Sequence, residues 1–239
     1  MPLFFQGTPV SKQPTTTEKA AAAKKKVLLV DDHALMRQGL ELLVNQQLDL
    51  EVCAQAETVV QAMEAIKAHP PDIVVTDITL KESNGIELIK DIRVHWPRML
   101  VVVLTMHNET FYAERVLRAG ARGFVTKSEP PTSVLAAIRA VLTGQIYVSE
   151  KLASQMIGKL TGKSMEPGGL LLDKLSDREF EVFELIGQGM EIRQIAKQLH
   201  LSIKTIETHR DNIRKKLDLD SSTDLLKYAL QWFQYEGGA

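Results

Sequence analysis

Five polar residues, far apart along the chain, carry the chemistry that this sequence suggests: Asp31, Asp32, Asp77, Thr105 and Lys127. Each stands at or just beyond the end of a short run rich in Val, Ile and Leu. Such runs are typical of buried parallel strands. In an open α/β sheet, ligands bind at the carboxyl ends of the strands. The five side chains are therefore expected to meet at one edge of a sheet.

Their residue types suit phosphoryl transfer. The adjacent carboxylates of Asp31 and Asp32 are hard oxygen ligands of the kind that Mg²⁺ prefers. The carboxylate of Asp77 can accept a phosphoryl group as an acyl phosphate. The Lys127 ammonium and the Thr105 hydroxyl can each bind one phosphoryl oxygen. The pattern predicts a divalent cation site beside a phosphoryl acceptor.

The alternative for each aspartate is that it caps the helix after its strand. For a single aspartate this alternative is favoured. It weakens because every residue type that phosphoryl transfer needs, namely carboxylates, a hydroxyl and an ammonium, occurs at the end of one of four predicted strands.

The elements that must position these residues alternate between strand and helix, which predicts a doubly wound flavodoxin-like fold with a five-stranded parallel sheet. The predicted strands are Lys26–Val30, Leu50–Ala54, Asp72–Thr76, Leu100–Leu104 and Gly123–Val125. The predicted helices are His33–Gln46, Val59–His69, Gly85–His95, Glu109–Ala119 and Thr132–Thr143.

The rest of the chain divides into a tail, a linker and a small all-α domain. We predict a disordered tail at 1–23, the α/β domain at 24–145, a linker helix with a flexible linker at 146–172, and a helical domain at 173–239. Within the linker, Gly158–Ser164 looks like a Walker A loop. Its glycines are one residue too close and no strand precedes it, so a P-loop NTPase is rejected in favour of a basic tether.

The helical domain has the pattern of a helix-turn-helix. Ser176 and Glu179 form a capping box, two glycines end the first helix, and a second helix and a tight turn precede a third helix. Residues 204–216 hold five basic and two acidic residues, although the whole chain has a net charge of −1. A basic helix in a near-neutral chain predicts a local phosphate-binding surface. The alternative is a solvated amphipathic helix.

Four segments of the α/β domain, VLLVDDHALMRQGL, VVTDITL, VVVLTMH and ARGFVTK, resemble the receiver domain of two-component response regulators. The resemblance implies that a histidine kinase phosphorylates Asp77 and that Thr105, Lys127 and Phe124 transmit the switch. It also implies that Asp31, Asp32, Asp77 and the backbone of Thr79 bind Mg²⁺. In one departure, Lys81 stands where the family often has proline.

Three segments of the helical domain, LSDREFEVFELIGQG, IRQIAKQLHLSIKTIETHR and NIRKKL, resemble the LuxR-type DNA-binding domain of the NarL/FixJ group. The resemblance implies a recognition helix at Lys204–Lys216 with Ile206, Ile213 and Leu217 facing the core. Expected base contacts come from Glu207, Thr208, Arg210 and Asp211, expected phosphate contacts from Lys204, Thr205, Asn212 and Lys216, and His209 could do either or merely pack.

Two further features of this domain remain open from the sequence. Met190 replaces the usual polar residue at the start of the second helix. The last helix, with Leu225, Leu226, Tyr228, Ala229 and Trp232, is either all core or partly a surface for a second copy.

These resemblances predict a cytoplasmic transcription factor in which phosphorylation of Asp77 frees a recognition helix covered by the receiver, favours a homodimer, or does both. Its partners would be a histidine kinase and double-stranded DNA, its cofactor Mg²⁺, and its only catalysis its own phosphorylation and dephosphorylation. No membrane-spanning segment is expected, because no stretch is long and apolar enough. The one cysteine, Cys53, is expected to be buried in the fold, and a single cysteine fits a reducing cytosol. The alternative is a phosphorylation-independent DNA-binding regulator whose receiver serves for dimerisation or ligand sensing.

Overall fold

The computed structural model describes residues 23–81, 83–107, 109–160, 169–172 and 174–236. The predicted disordered tail lies outside these residues apart from its last position, as does most of the Gly158–Ser164 segment. Among the described residues, no helix is long and apolar enough to cross a membrane.

The N-terminal domain is the predicted five-stranded parallel sheet flanked by helices. Its strands in chain order are β1 (Lys25–Val30), β2 (Leu50–Ala56), β3 (Ile73–Thr76), β4 (Thr79–Leu80), β5 (Ser83–Asn84), β6 (Leu100–Thr105) and β7 (Gly123–Thr126). The sheet has the order β2-β1-β3-β6-β7, which is a doubly wound topology. The strands β4 and β5 form a separate two-stranded hairpin directly after Asp77, which the sequence patterns did not predict.

The register of the sheet brings the chemical residues to one edge. Val30 is paired with Thr76, and Thr76 with Val103, so the residues that follow β1 and β3 lie side by side. Thr105 is paired with Thr126 in the same way, which places Lys127 beside the end of β6.

Helices cover both faces of this sheet. They are α1 (Ala34–Asn45), α2 (Val59–Ala68), α3 (Gly85–His95), α4 (Glu109–Ala119) and α5 (Pro131–Leu142). Strand residues alternate between two cores because side chains of a strand point to opposite faces. Leu28 and Val30 pack with α2, α3 and α4, whereas Val27 and Leu29 pack with α1 and α5.

The C-terminal domain contains the four predicted helices. Two helices lie in the predicted linker, α6 (Glu150–Leu160) and α7 (Gly169–Leu172). The domain itself comprises α8 (Asp177–Gly187), α9 (Ile192–Gln198), α10 (Ile203–Lys216) and α11 (Ser222–Glu236). The predicted Ser176–Glu179 capping box is present at the start of α8.

The core of this domain lies between α8 and the other helices. Ile206, Ile213 and Leu217 are buried, as the resemblance implied. Trp232 contributes to the core too, with its ring centroid 5.4 Å from that of Phe183. Leu225 and Ala229 are also buried, so these parts of α11 belong to the core, whereas Leu226 is 41% exposed.

The N-cap of α9 is Glu191, the polar residue that follows Met190, and its backbone N–H donates to the side chain of Gln194 at 2.8 Å. One expectation requires correction. Cys53 is half-buried rather than buried, because it lies at the register shift of the edge strand β2, between Val52 and Ala54, which pair with β1; its Sγ lies 3.5 Å from the carbonyl oxygen of Val27.

Candidate functional site

The carboxyl edge of the sheet brings the predicted acidic and basic groups into contact. The ammonium of Lys127 lies 2.6 Å from Asp31 Oδ2 and 2.5 Å from Asp77 Oδ2. Asp77 Oδ1 accepts a hydrogen bond of 2.6 Å from the backbone N–H of Ile78. Thr105, at the end of β6, is fully buried beside them. Three residues from three strand ends thus form one polar cluster.

This cluster keeps Lys127 charged. Burial would by itself lower the pKa of Lys127, but the carboxylates of Asp77 and Asp31 outweigh burial and raise that pKa above its usual value. The backbone N–H of Lys127 donates to the carbonyl oxygen of Thr105 at 2.7 Å, which fixes the chain where the ammonium must reach inward.

The carboxylates also fit a divalent cation. Asp31, His33 and Asp77 offer ligand atoms that all lie within 4.8 Å of one another. Asp32 Oδ1 is buried and lies 2.7 Å from the ring nitrogen Nδ1 of His33. A carboxylate oxygen that has an exposed side chain as its neighbour, rather than a fixed backbone donor, suits a hard cation such as Mg²⁺. His33 itself is 69% exposed in its side chain.

The helix-cap alternative fails for these aspartates. The N-cap of α1 is His33, which has no side-chain capping bond, and the N-cap of α3 is Asn84, whose side chain accepts from Ile86 N–H. Asp31 does accept a bond of 2.8 Å from the backbone N–H of His33, but outside the helix.

A close backbone approach fixes the loop after Asp77. The N–H of Gly85 donates to the carbonyl oxygen of Ile78 at 2.6 Å. A Cβ atom at Gly85 would stand 1.9 Å from the carbonyl oxygen of Asp77. Only glycine fits here, because the obstacle is backbone rather than a flexible side chain. Lys81 lies at the exposed turn of the hairpin.

The C-terminal domain packs directly onto this region through two buried carboxylates of α8. Glu181, which is fully buried, accepts from the hydroxyl of Thr79 at 2.9 Å and from the side-chain amide of Asn84 at 3.1 Å. Thr79 and Asn84 both belong to the hairpin that follows Asp77. Within its own domain, Glu181 pairs with Arg178 at 2.6 Å.

Glu184, one turn further along α8, meets the loop after β6. Its Oε2 accepts from the Tyr112 hydroxyl at 2.7 Å and lies 3.2 Å from His107 Nδ1. His107 Nε2 in turn lies 2.8 Å from Thr79 Oγ1. Burial would lower the pKa of His107, but its hydrogen bond with Glu184 raises that pKa overall, whereas burial holds the pKa of Tyr112 well above its usual value.

A rim of opposite charges surrounds these contacts. Asp177, the first residue of α8, lies 2.6 Å from Lys90 Nζ and 3.4 Å from Arg115 Nη1. Arg115 also donates to the carbonyl oxygen of Leu172 at 2.6 Å and stacks over Phe180, 4.1 Å from its ring centroid. Sequence reasoning missed this interface. The available signal was the acidic row 177, 181 and 184, whose spacing puts all three on one face of a helix.

A cavity of about 1070 Å³ remains open between the two domains. One wall includes Asp32, Asp77 and Lys127, and the other includes Lys197 and His200 of the C-terminal domain. The cluster around Asp77 therefore faces the helix-turn-helix across this cavity. Phe124, the third expected switch residue, lies buried in the core of the N-terminal domain at 1% exposure.

The predicted DNA-reading helix is not covered by the N-terminal domain. Lys204, Glu207, Thr208 and Asp211 are all exposed on α10. Of the alternatives that the sequence left open, release of a covered recognition helix does not match this arrangement, because α8, rather than α10, makes the buried contacts between the domains.

Five other expected DNA-contacting residues have internal partners or are half-buried. Lys216 forms an ion pair of 2.6 Å with Glu179, and Thr205 Oγ1 lies 2.7 Å from Ser202 Oγ. Three more are half-buried: His209, Arg210 and Asn212. Burial, followed by the charge of Arg178, lowers the pKa of His209. The Nε of Arg210 is buried and makes no hydrogen bond within the described residues.

Comparisons with known proteins match both domains. A family model described as "Response regulator receiver domain" matches residues 27–139. A model described as "Bacterial regulatory proteins, luxR family" matches residues 173–229. The "Oxygen regulatory protein NreC" of Staphylococcus aureus is 34% identical over 205 residues, which are 84% of this chain and 94% of that protein.

Solved structures of response regulators are also similar to this chain. The RcsB response regulator of Salmonella typhimurium is 27% identical with a TM-score of 0.60, over 87% of this chain and 98% of that one. RcsB of Salmonella enterica serovar Typhimurium bound to promoter P1flhDC in the presence of phosphomimetic BeF3- is 28% identical with a TM-score of 0.57, over 87% of this chain and 98% of that one. A LuxR-family two-component response regulator of Aurantimonas is 32% identical with a TM-score of 0.54, over 58% of this chain and 99% of that one.

Proposed function

This chain belongs to the two-component response regulators that carry a LuxR-type DNA-binding domain, and from that premise we propose that phosphoryl transfer to Asp77 controls its binding to DNA. The phosphoryl donor in this proposal is a histidine kinase. The observation that carries it is the Lys127 ammonium, held in contact with Asp31 and Asp77 beside the buried Thr105.

The residues around Asp77 have separate roles in this proposal. An oxygen of the Asp77 carboxylate attacks the phosphorus, while Lys127 binds one phosphoryl oxygen and the Thr105 hydroxyl donates to another. Asp31, Asp32, Asp77 and the backbone carbonyl of Thr79 would hold Mg²⁺. When bound, the ion neutralises charge on the carboxylate and on the incoming phosphoryl oxygens.

Phosphorylation changes the charge next to the domain interface. A phosphoryl group replaces the single negative charge of Asp77 with a charge of about −2. Thr79, two residues away, is bonded to Glu181, and His107 connects Thr79 to Glu184. Added negative charge near two buried carboxylates disfavours their burial, so the phosphorylated form shifts towards separated domains.

Release of α8 would change what the DNA-binding domain can assemble with. The recognition helix is already exposed, so we infer that phosphorylation acts on the orientation and pairing of this domain rather than on access to α10. Two copies on one duplex would bring two recognition helices to neighbouring half-sites. RcsB, a similar protein, is bound to promoter DNA in a structure that was solved in the presence of phosphomimetic BeF3-.

The DNA contacts proposed for each copy come from both exposed and half-buried residues. The exposed side chains that face away from the core, Glu207, Thr208 and Asp211, are proposed to reach base edges. Lys204 is proposed to bind phosphate. Five more residues remain proposed contacts; two of them have internal partners, Thr205 and Lys216, and three are half-buried, His209, Arg210 and Asn212.

Labelling of the acceptor tests the first step. Incubation with acetyl phosphate and Mg²⁺ is expected to add one phosphoryl group to wild type and none to Asp77→Asn, which keeps the shape of the side chain but removes its charge. Intact-protein mass spectrometry measures the addition. Equal labelling of both proteins would show that another residue accepts the group. Absence of labelling in wild type would favour a regulator that works without phosphorylation.

A further inference from the structure

The wall of the cavity opposite Asp77 belongs to the DNA-binding domain. Helix α9 and the turn after it contribute Gln194, Lys197, Gln198 and His200 to this wall. Three of these four side chains carry N–H donors at neutral pH, and His200 offers a ring nitrogen that donates or accepts. The phosphoryl acceptor therefore faces a wall of donors.

The opposing wall contains the reacting groups. Asp77 and Lys127 line the cavity together with Asp32 and Thr105. Glu184, the carboxylate that the DNA-binding domain brings to the cavity, is already bonded to Tyr112 and lies beside His107. An anion that entered would find Lys197 on one side and Lys127 on the other.

The backbone around His200 holds this residue close to the acidic edge. His200 has a φ of +53°, a left-handed conformation that ends α9, and its N–H donates to the carbonyl oxygen of Lys197 at 3.3 Å. Its Nε2 lies 3.9 Å from Asp32 Oδ2 across the domain boundary. The wall therefore narrows the cavity at the point where the N-terminal domain carries its carboxylates.

We propose that Lys197 and His200 of the DNA-binding domain complete a binding site for a small dianionic phosphodonor, such as an acyl phosphate, in the cavity over Asp77. This inference rests on the proposed phosphorylation of Asp77. The cavity of about 1070 Å³ is slightly larger than the range of about 300–1000 Å³ that is usual for small-molecule sites, so a small phosphodonor fits in it together with water. A phosphohistidine on a protein surface is attached to a bulky neighbour, and it would require this wall to move aside.

Phosphoryl transfer from such a donor to Asp77 requires no further reactant. With acetyl phosphate, an oxygen of the Asp77 carboxylate forms a bond to phosphorus as the bond between phosphorus and the acetate oxygen breaks. Acetate leaves with the bonding electron pair, and no proton or redox partner is required. Lys197 and His200 bind the donor in this scheme, and Lys127 and Thr105 serve the transferring group.

The dependence of the initial phosphorylation rate on acetyl phosphate concentration tests the site in the full chain with Mg²⁺. The variants are Lys197→Ala and His200→Asn; asparagine tolerates a left-handed backbone and so preserves the turn. Lys215→Ala is the matched control, because Lys215 is an exposed lysine on α10 that does not line the cavity. Circular dichroism establishes that each variant is folded.

We expect each cavity variant to raise the half-saturating acetyl phosphate concentration by about two- to five-fold, the size of a solvent-accessible charge contact. The maximal rate and the Lys215→Ala control should be unchanged. If wild type is labelled at Asp77 but the cavity variants have the same half-saturating concentration or a lower one, Lys197 and His200 do not bind the donor, while phosphorylation of Asp77 still stands. If wild type is not labelled at all, both the donor site and the proposed phosphorylation of Asp77 are refuted.

Discussion

Replacement of Tyr112 by Phe is the sharpest test of how the two domains are held together. The Tyr112 hydroxyl is fully buried and donates to Glu184 at 2.7 Å. The substitution keeps the ring, which packs with its centroid 4.3 Å from that of His107 and 5.3 Å from that of Phe180. Only the hydrogen bond is lost, and Glu184 stays 3.2 Å from His107.

The expected magnitude follows from the charge of the acceptor. A hydrogen bond to a buried charged group contributes about 1.5–3 kcal/mol. The equilibrium between closed and separated domains should therefore shift towards separation by about ten- to a hundred-fold. The pKa of Tyr112 lies well above its usual value, so the hydroxyl donates throughout the physiological range and the effect should not depend on pH there.

Hydrogen–deuterium exchange of the unphosphorylated protein measures this shift. Peptides from α4 and from α8 should both exchange faster in Tyr112→Phe than in wild type. Tyr147→Phe is the control, because within the described chain the Tyr147 hydroxyl makes no hydrogen bond. If both variants leave the two helices as protected as in wild type, the Tyr112–Glu184 bond does not hold the domains together.

Three further predictions concern the loop after the acceptor, the trigger and the DNA-binding domain. Gly85→Ala should abolish labelling by acetyl phosphate, because its Cβ would stand 1.9 Å from a backbone oxygen, whereas Gly39→Ala, with nothing within 4 Å, should label normally; equal labelling would refute the close approach. Glu184→Gln should reduce the beryllofluoride-induced rise in exchange of α8, and an undiminished rise would remove this carboxylate from the trigger. Burial raises the pKa of Glu179, but bonds from Lys216 and the N-cap lower it overall below its usual 4.5, so the melting temperature of the C-terminal domain should fall as pH drops below about 4.5, with a smaller fall in Lys216→Met. The same pH profile in both proteins would contradict the ion pair.

Much of the N-terminal fold could be predicted because its signals are local. Strands such as Ile73–Thr76 are short apolar runs, and a parallel sheet must bring their carboxyl ends together. That geometry was enough to predict that Asp31, Asp77 and Lys127 meet. The hairpin at Thr79–Asn84 was not predictable in this way, since two-residue strands have no periodicity.

The domain interface escaped prediction for a different reason. Glu181 and Glu184 lie on a helix whose apolar stripe already explained the pattern, and acidic residues on a helix are normally exposed. Their burial depends on partners from another domain, Thr79 and Tyr112, which no local pattern pairs with them. The sequence left open whether the receiver covers the recognition helix for the same reason, because these contacts determine which face of the DNA-binding domain is docked.

Control of DNA binding by phosphorylation depends most directly on the connection between Asp77 and the separation of the two domains. Exchange of α8 and affinity for promoter DNA should be measured with and without beryllofluoride and Mg²⁺, in wild type and in Asp77→Asn. We predict that both quantities rise in wild type on addition and that neither changes in the variant. Strong DNA binding that is indifferent to the addition, with α8 equally protected throughout, would contradict control through Asp77.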